Sequence, residues 1–301
     1  MKMVSSVLKN WRVGVVAVVG LALTACSSSE EYKWEMWDNP EEEQAAVSVQ
    51  SENGTAEDLK TGITIGIYVV GEDGEVTLVT ATVDADGNII LPPEATTGNT
   101  IVYTPFQSDW GIEVFKGGAV FEVKTDQASQ DGYDASDLMI GTALRAQTRA
   151  VEMEFSLKHM LAKVMIHVID ETGSIDGNET TMTLLGMLSA VNVNLATMSV
   201  STIDNTQMDI DMLPYSVTDR RMTMTAIVAP QKKEAGDDLF EFNLQGAHRK
   251  CVLPTSAELE GGKTFVFQMR YTEEGLIPDG SYITGWEADD KVTDFNIRTK
   301  K

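Results

Sequence analysis

The sequence of 301 residues predicts an all-β fold, because many short runs alternate apolar and polar side chains and end at Gly, Asp or Asn. The clearest run is residues 151–157, where apolar residues occupy the odd positions and polar residues the even ones. A period of two is typical of a strand that has one buried face. The abundance of Thr, Val and Ile also favours strands over helices.

The run that begins at residue 151 changes phase as it continues. From Val164 the apolar residues fall on even positions, so the alternation slips by one within residues 159–163. A slip of one residue turns every later side chain to the other face of a sheet. We therefore predict a long bent strand that serves two packed sheets. The alternative is an amphipathic helix whose apolar stripe consists of Leu157, Leu161, Val164, Met165 and Val168.

The N-terminus has the pattern of a bacterial lipoprotein. Residues 1–25 combine a basic start with an apolar stretch at 13–23 and end Leu-Thr-Ala before Cys26. This pattern predicts a signal peptide that is removed before Cys26, whose acylated thiol and amine then hold the chain at a membrane. An uncleaved anchor helix is the alternative. Residues 26–58 are polar and acidic, and we predict a flexible tether there.

Composition excludes some partners. The chain carries 46 acidic and 23 basic residues, a formal net charge of −23, so a phosphate backbone would be repelled and nucleic acid is not an expected partner. The chain has two cysteines. With Cys26 lipidated, Cys251 has no disulfide partner and is predicted to be a buried apolar side chain. No cofactor or metal site is predicted.

Short strings along the chain carry a family resemblance. They are I-G-I-Y at 65–68, D-L-M-x-G at 137–141, F-x-L-x-H-x-x-A-K-V at 155–164, A-P-Q at 229–231, G-K at 262–263 and I-x-x-W at 283–286. Each string is weak alone. In this order, and after a lipoprotein signal, they resemble the fimbrillin family, the lipoprotein subunits of type V pili in certain Gram-negative anaerobes.

The resemblance implies a fold and a mode of assembly. It implies two tandem Greek-key, transthyretin-like β-sandwich domains, which we place at 59–148 and 149–301. It also implies assembly by strand addition, in which an extended segment of one fimbrial subunit completes a sheet of another. The expected partners are other fimbrial subunits, the outer membrane through the acylated cysteine, and a receptor on a host or bacterial surface.

The family resemblance also suggests site residues. In shaft subunits of the family a protease cuts after an Arg near the first strand, but residues 26–70 contain none. We therefore expect an anchor, tip or accessory subunit. Arg145 and Arg149 lie in a bridge between the predicted domains that a trypsin-like protease could reach. The candidate donor strand is the C-terminal run Lys291, Val292, Thr293, Asp294, Phe295, Asn296 and Ile297.

No motif in the sequence predicts catalysis. The three histidines have no spacing typical of a metal or nucleophile site, and the acidic turn at 84–88 lacks the later Glu of an EF-hand loop. An enzyme would need carboxylates that converge in a cleft. A glycan-binding surface lipoprotein is the other alternative, and it would need an exposed aromatic platform from Trp110, Tyr133, Trp286 and their neighbours.

Overall fold

A computed structural model describes residues 21–24, 31–34, 62–71, 73–82, 99–145, 153–175, 179–204, 207–218, 220–244, 247–253 and 256–286. Strands dominate these residues, as predicted, and the helices α1 (Glu113–Lys116) and α2 (Gln130–Asp134) are short. The strands of the first half are β1 (Leu21–Thr24), β2 (Glu31–Trp34), β3 (Thr64–Val70), β4 (Val76–Thr82), β5 (Asn99–Thr104), β6 (Ala119–Glu122), β7 (Met139–Arg145) and β8 (Met153–His159).

The second half contributes thirteen more strands. They are β9 (Ala162–Asp170), β10 (Thr180–Leu188), β11 (Ala190–Asn194), β12 (Ser199–Thr202), β13 (Gln207–Asp211), β14 (Leu213–Thr218), β15 (Arg221–Val228), β16 (Gln231–Lys233), β17 (Asp238–Leu244), β18 (Ala247–Val252), β19 (Ala257–Leu259), β20 (Lys263–Thr272) and β21 (Gly275–Gly285).

The first sheet is antiparallel and has the strand order β4-β3-β5-β7-β8. A smaller sheet, β12-β11-β6, has two strands from the second half of the chain and one from the first. Aromatic rings join the two layers: the Trp110 ring lies 4.9 Å from that of Tyr103 and 6.4 Å from that of Phe121 in β6. The first half therefore depends on the second for part of its core.

The bent strand is confirmed, and the helical alternative is wrong. The run forms β8 and β9, which belong to different sheets and are separated by Met160 and Leu161. In β9 the even positions 162, 164, 166, 168 and 170 are all buried, as the alternation predicts. The break lets the chain change phase between the sheets without turning the apolar side chains of β9 outward.

The second sandwich is built from two sheets, β14-β15-β9-β20-β21 and β13-β10-β17-β18. Neighbouring strands within them are antiparallel except for β9 and β20, which run parallel. Their facing side chains form one core, which includes Val164, Ile166, Met182, Phe240 and Phe242. The all-β, sandwich-like architecture is therefore as predicted, whereas the Greek-key order and the tandem division into domains stay predictions.

Two further details concern the ends of individual strands. The boundary predicted between residues 148 and 149 falls between β7 and β8, which are neighbours in one sheet. The apolar residues within 191–201 predict one strand, but the chain turns at 195–198 and forms the two strands β11 and β12. The turn at 195–198 lets β11 and β12 pair with each other as a local hairpin, and the division into domains stays a prediction.

Candidate functional site

All three histidines contact a side chain of the fold, and the exposed one, His248, has its Nδ1 2.7 Å from Glu241 Oε1. His159 Nδ1 lies 2.7 Å from Asp137 Oδ1, and His167 Nδ1 lies 2.8 Å from Thr223 Oγ1. Burial lowers the pKa of His167, and the nearby Arg221 guanidinium lowers that pKa further. Among the described residues, no three His, Cys, Asp or Glu side chains are grouped as metal ligands would be. The enzyme hypothesis thus gains no support from this part of the chain.

Trp286 holds the end of the second sandwich against the first sheet. Its ring stacks on the imidazole of His159, with ring centroids 4.0 Å apart and planes 6° from parallel. Lys163 Nζ lies 5.3 Å from the Trp286 ring centroid, which is within cation–π range. Because His159 is the last residue of β8, the chain reaches residue 286 beside one edge of the first sheet.

The predicted aromatic platform is not an exposed surface. Trp110 is 3% exposed and Trp286 is 5% exposed, and Tyr133 packs partly buried against the core. The Trp110 indole N–H also donates to the Val120 carbonyl at 3.3 Å. A sugar needs a free ring face for stacking, so these side chains count against the glycan-binding hypothesis.

One side of the second sandwich is closed by residues 123–127 of the first half. The Val123 N–H donates to the Ser189 carbonyl at 2.9 Å, and the Asp211 N–H donates to the Thr125 carbonyl at 2.8 Å. The Gln127 N–H in turn donates to the Asp211 carbonyl at 3.1 Å. Residues 123–127 therefore act as an added strand from the same chain, which covers backbone groups of β13.

The side chain of Gln127 completes this closure. It is fully buried, its Oε1 accepts from the Ile227 N–H at 2.8 Å, and its Nε2 donates to the Ile227 carbonyl at 2.8 Å. Strand β14 pairs with β15 only as far as Thr225, so the Gln127 amide takes the place of a missing strand. Nothing in the sequence singles out Gln127, because a lone Gln in a polar loop has no distinguishing pattern.

The outer strands of the second sandwich are all interrupted or charged. Proline, charge and irregular pairing are the usual ways in which proteins protect sheet edges from further pairing. The four outer strands are β13, β14, β18 and β21. Each has a shift of register against its neighbouring strand. In addition, β14 contains Pro214, β21 contains Pro278 and Asp279, β13 contains Asp209 and Asp211, and β18 contains Arg249 and Lys250.

The first sheet has one protected edge and one unprotected edge. Its outer strand β8 carries Glu154 and Lys158. Its other outer strand, β4, reads VTLVTAT, has neither charge nor proline, and pairs with β3 in one continuous register. Within the described residues, no strand pairs with the outer side of β4. Among the described edge strands longer than four residues, β4 alone lacks every protective feature.

Most of the site residues predicted from sequence lie outside the described residues. These are Cys26, Arg149 and the candidate donor strand at 291–297. Arg145 is the last residue of β7 and pairs with Met153 across the β7–β8 hairpin. In the part of the chain that the structure describes, no helix has both the length and the apolarity needed to cross a bilayer.

Cys251 differs from its predicted state. It is buried in β18, with 4% of its surface exposed, as expected for an apolar side chain. However, it is disulfide-bonded in the structure, whereas a free thiol was predicted. Cys26 is the only other cysteine in the sequence. A sulfur that carries a lipid cannot also form a disulfide, so lipidation and this bond exclude each other.

Comparison with known proteins identifies the family. The model of a family described as fimbrillin-like matches residues 39–286. A crystal structure of a proposed cell adhesion protein from Bacteroides ovatus is 15% identical, with a TM-score of 0.56 and coverage of 80% of this chain and 90% of that one. A counterpart from Bacteroides uniformis is 17% identical, with a TM-score of 0.52 and coverage of 75% and 93%.

Both structures share the fold of this chain at low sequence identity. The search of curated proteins found no match to this chain. The family model covers most of the sequence, from the acidic N-terminal segment to Trp286, and it includes every string on which the resemblance was based. The chain belongs to the fimbrillin-like family.

Proposed function

We propose that this chain is a structural subunit of a fimbrium, held at the outer membrane by lipid on Cys26 and joined to other fimbrial subunits by strand addition. The observation that carries the proposal is the unprotected edge of β4 in a chain of the fimbrillin-like family. Among the described residues no strand pairs with the outer side of β4, so its seven regular, uncharged residues are suited to pair with an extended segment. Every comparable edge of the second sandwich is interrupted or charged.

The position of the subunit in the fibre follows from the missing cleavage site. Residues 26–70 contain no Arg, so the protease step inferred for shaft subunits has no target there. We therefore assign the chain to the anchor, the tip or an accessory position, where it supports adhesion to a receptor on a host or bacterial surface. The candidate donor strand at 291–297 is its means of entering a neighbouring subunit.

The experiment is to express the gene with its genomic neighbours and to image the cells for fibres that carry this protein. We expect fibres labelled by antibody, and we expect Cys26→Ala to release the protein from the membrane fraction into the medium. Cys251→Ala is the matched control, because it changes the other cysteine and leaves the lipidation signal intact. Membrane retention of the Cys26→Ala variant would contradict lipid anchoring, and unlabelled fibres would contradict the fimbrial role.

A further inference from the structure

The C-terminal end of β21 has little side-chain packing of its own. The exposed residues there are Ser281, Ile283, Thr284 and Gly285. Because β21 is the outer strand of its sheet, it pairs with β20 alone among the described strands. That pairing is continuous from Gly285 back to Gly280, where the register shifts. Trp286 directly follows the strand and is 5% exposed, so it is the buried side chain that resists peeling of β21 from this end.

Trp286 is fixed through both its ring and its backbone. The ring stacks on His159 with the centroids 4.0 Å apart, and Lys163 Nζ lies 5.3 Å from the centroid of the same indole. The Trp286 N–H donates to the Gly262 carbonyl at 3.0 Å, and the Gly262 N–H donates to the Leu161 carbonyl at 2.9 Å. Both sets of contacts lead to the connection between β8 and β9. The end of β21 is therefore attached to the place where the chain passes from one sheet to another.

The partners of Trp286 are themselves held in position. His159 Nδ1 lies 2.7 Å from Asp137 Oδ1, and the two side chains are 7% and 17% exposed. The turn before β20 lies close against Met160, because a Cβ at Gly261 would be 2.5 Å from the Met160 carbonyl oxygen. His159 therefore cannot turn away from the indole without losing its contact with Asp137.

Four of the six strings that carry the family resemblance meet at this place. Asp137 belongs to D-L-M-x-G, His159 and Lys163 belong to F-x-L-x-H-x-x-A-K-V, Gly262 belongs to G-K, and Trp286 belongs to I-x-x-W. None of these residues lies in β4, so strand addition at that edge does not account for them. Their contacts with one another give them a common role.

We infer that Asp137, His159, Lys163 and Trp286 form a latch that keeps β21 attached when the chain beyond residue 286 is pulled. The inference rests on the proposed function, in which the chain carries force between its membrane anchor and a neighbouring subunit. Antiparallel strands that are pulled apart from one end lose their hydrogen bonds in succession. The latch adds side-chain contacts at the end where peeling begins. His159 is a positioning residue that acts through Trp286.

The first test is amide hydrogen exchange on the full mature chain. His159→Gln keeps a donor for Asp137 but removes the ring that stacks on Trp286, and it should speed exchange in residues 280–286 by about three- to tenfold. His248→Gln is the matched control, because His248 is exposed on β18, and it should leave exchange in 280–286 unchanged. Trp286→Ala should speed exchange further. His159→Gln decides the test, because removal of a buried indole can unfold the chain.

The second test applies force to the same chains, held by tags at both termini in optical tweezers. Peeling of residues 280–286 as far as the register shift releases up to about 25 Å of chain. We expect His159→Gln to show this step at a lower force than the wild type, before the rest of the fold unfolds. An equal force in both chains would overturn the inference. Faster exchange spread evenly over the whole chain would also overturn it, because that is the effect of a residue that only supports global stability.

The imaging experiment separates failure of this inference from failure of the proposed function. If His159→Gln changes neither exchange nor force and antibody still labels the fibres, the proposed function stands and the latch does not. If the wild type enters no fibres, no neighbouring subunit pulls on the chain, and both fail.

Discussion

The two halves of the molecule obtain their cores in different ways. The second sandwich takes all nine strands of its two large sheets from residues 162–285. The first sheet is covered by a layer in which β11 and β12 come from the second half, and only β6 is local. A layer assembled from distant segments cannot form before those segments are in place. The comparison indicates that the second sandwich is the scaffold on which the first sheet is completed.

The largest effect on stability is expected when the first half of the chain is produced without the second half. A fragment that ends at residue 150 lacks β8, β11 and β12, so Trp110 and Phe121 lose the layer that encloses them. We expect this fragment to unfold without a cooperative transition in circular dichroism, and we expect the fragment 153–286 to retain one. A cooperative transition in the shorter fragment would show that the first sheet does not need the second half.

Gly66→Ala should disrupt the first sheet alone. A Cβ at this position would lie 2.0 Å from Cε1 of the fully buried Tyr103, whose ring packs against Trp110. Overpacking of this kind costs about 3 kcal/mol of unfolding free energy, measured by urea denaturation. Gly111→Ala is the control, because a Cβ there meets no atom within 4 Å. Equal stability of the two variants would mean that Tyr103 can move aside.

Gln127→Glu tests the closure between the halves. The carboxylate keeps the shape of the amide but loses the Nε2 donor to the Ile227 carbonyl and brings a charge into a fully buried position. We expect a loss of about 2–3 kcal/mol in unfolding free energy. Gln207→Glu, on an exposed position of β13, should change stability by less than about 0.5 kcal/mol. A similar effect of both changes would contradict the role given to Gln127.

The parts of the fold that could be predicted are those that depend on the local alternation of apolar and polar residues. The alternation in 151–170 predicted the bend between β8 and β9. Periodicity records which face of a strand is buried, and that information is local. It does not record which partner buries that face, so the joining of β6 to β11 could not be read from the sequence.

Only the type of the candidate site, a sheet edge that accepts a strand, could be predicted from the sequence. Family strings implied strand addition, but they did not show which edge is free. That answer depends on comparing all the outer strands, because β4 is distinguished by the absence of features that β13, β14, β18 and β21 possess. Gln127 was missed for a related reason: its role arises from the place where β14 stops pairing with β15.

Asp170 tests the stability of the second sandwich on its own. Burial would raise the pKa of this carboxyl, but bonds from the Ile175 N–H and from the N–H and hydroxyl of Thr172 outweigh burial and lower the pKa. Its contribution to stability is therefore full above the pKa of the unfolded chain and disappears as the pH falls through the lower pKa of the folded state. Asp170→Asn should cost about 1–2 kcal/mol at neutral pH.

The measurement for Asp170 is urea denaturation across acidic pH. The difference between wild type and Asp170→Asn should shrink as the pH falls, because protonation removes the charge that the bonds favour. Asp131→Asn is the control, since Asp131 is exposed in α2. A difference that stays constant with pH would show that Asp170 stabilises the loop through shape and not through its charge.

The smallest change in unfolding free energy is expected for Cys251→Ala. This variant tests whether a disulfide joins the second sandwich to the N-terminal segment. In the lipidated chain the Cys26 sulfur carries the lipid, so Cys251→Ala removes one small buried side chain and should cost about 1 kcal/mol. A disulfide would be worth about 2–4 kcal/mol. Alkylation of the denatured lipidated chain should find one free thiol by mass spectrometry. If no thiol is labelled, Cys26 is bonded to Cys251 and cannot be the lipid anchor.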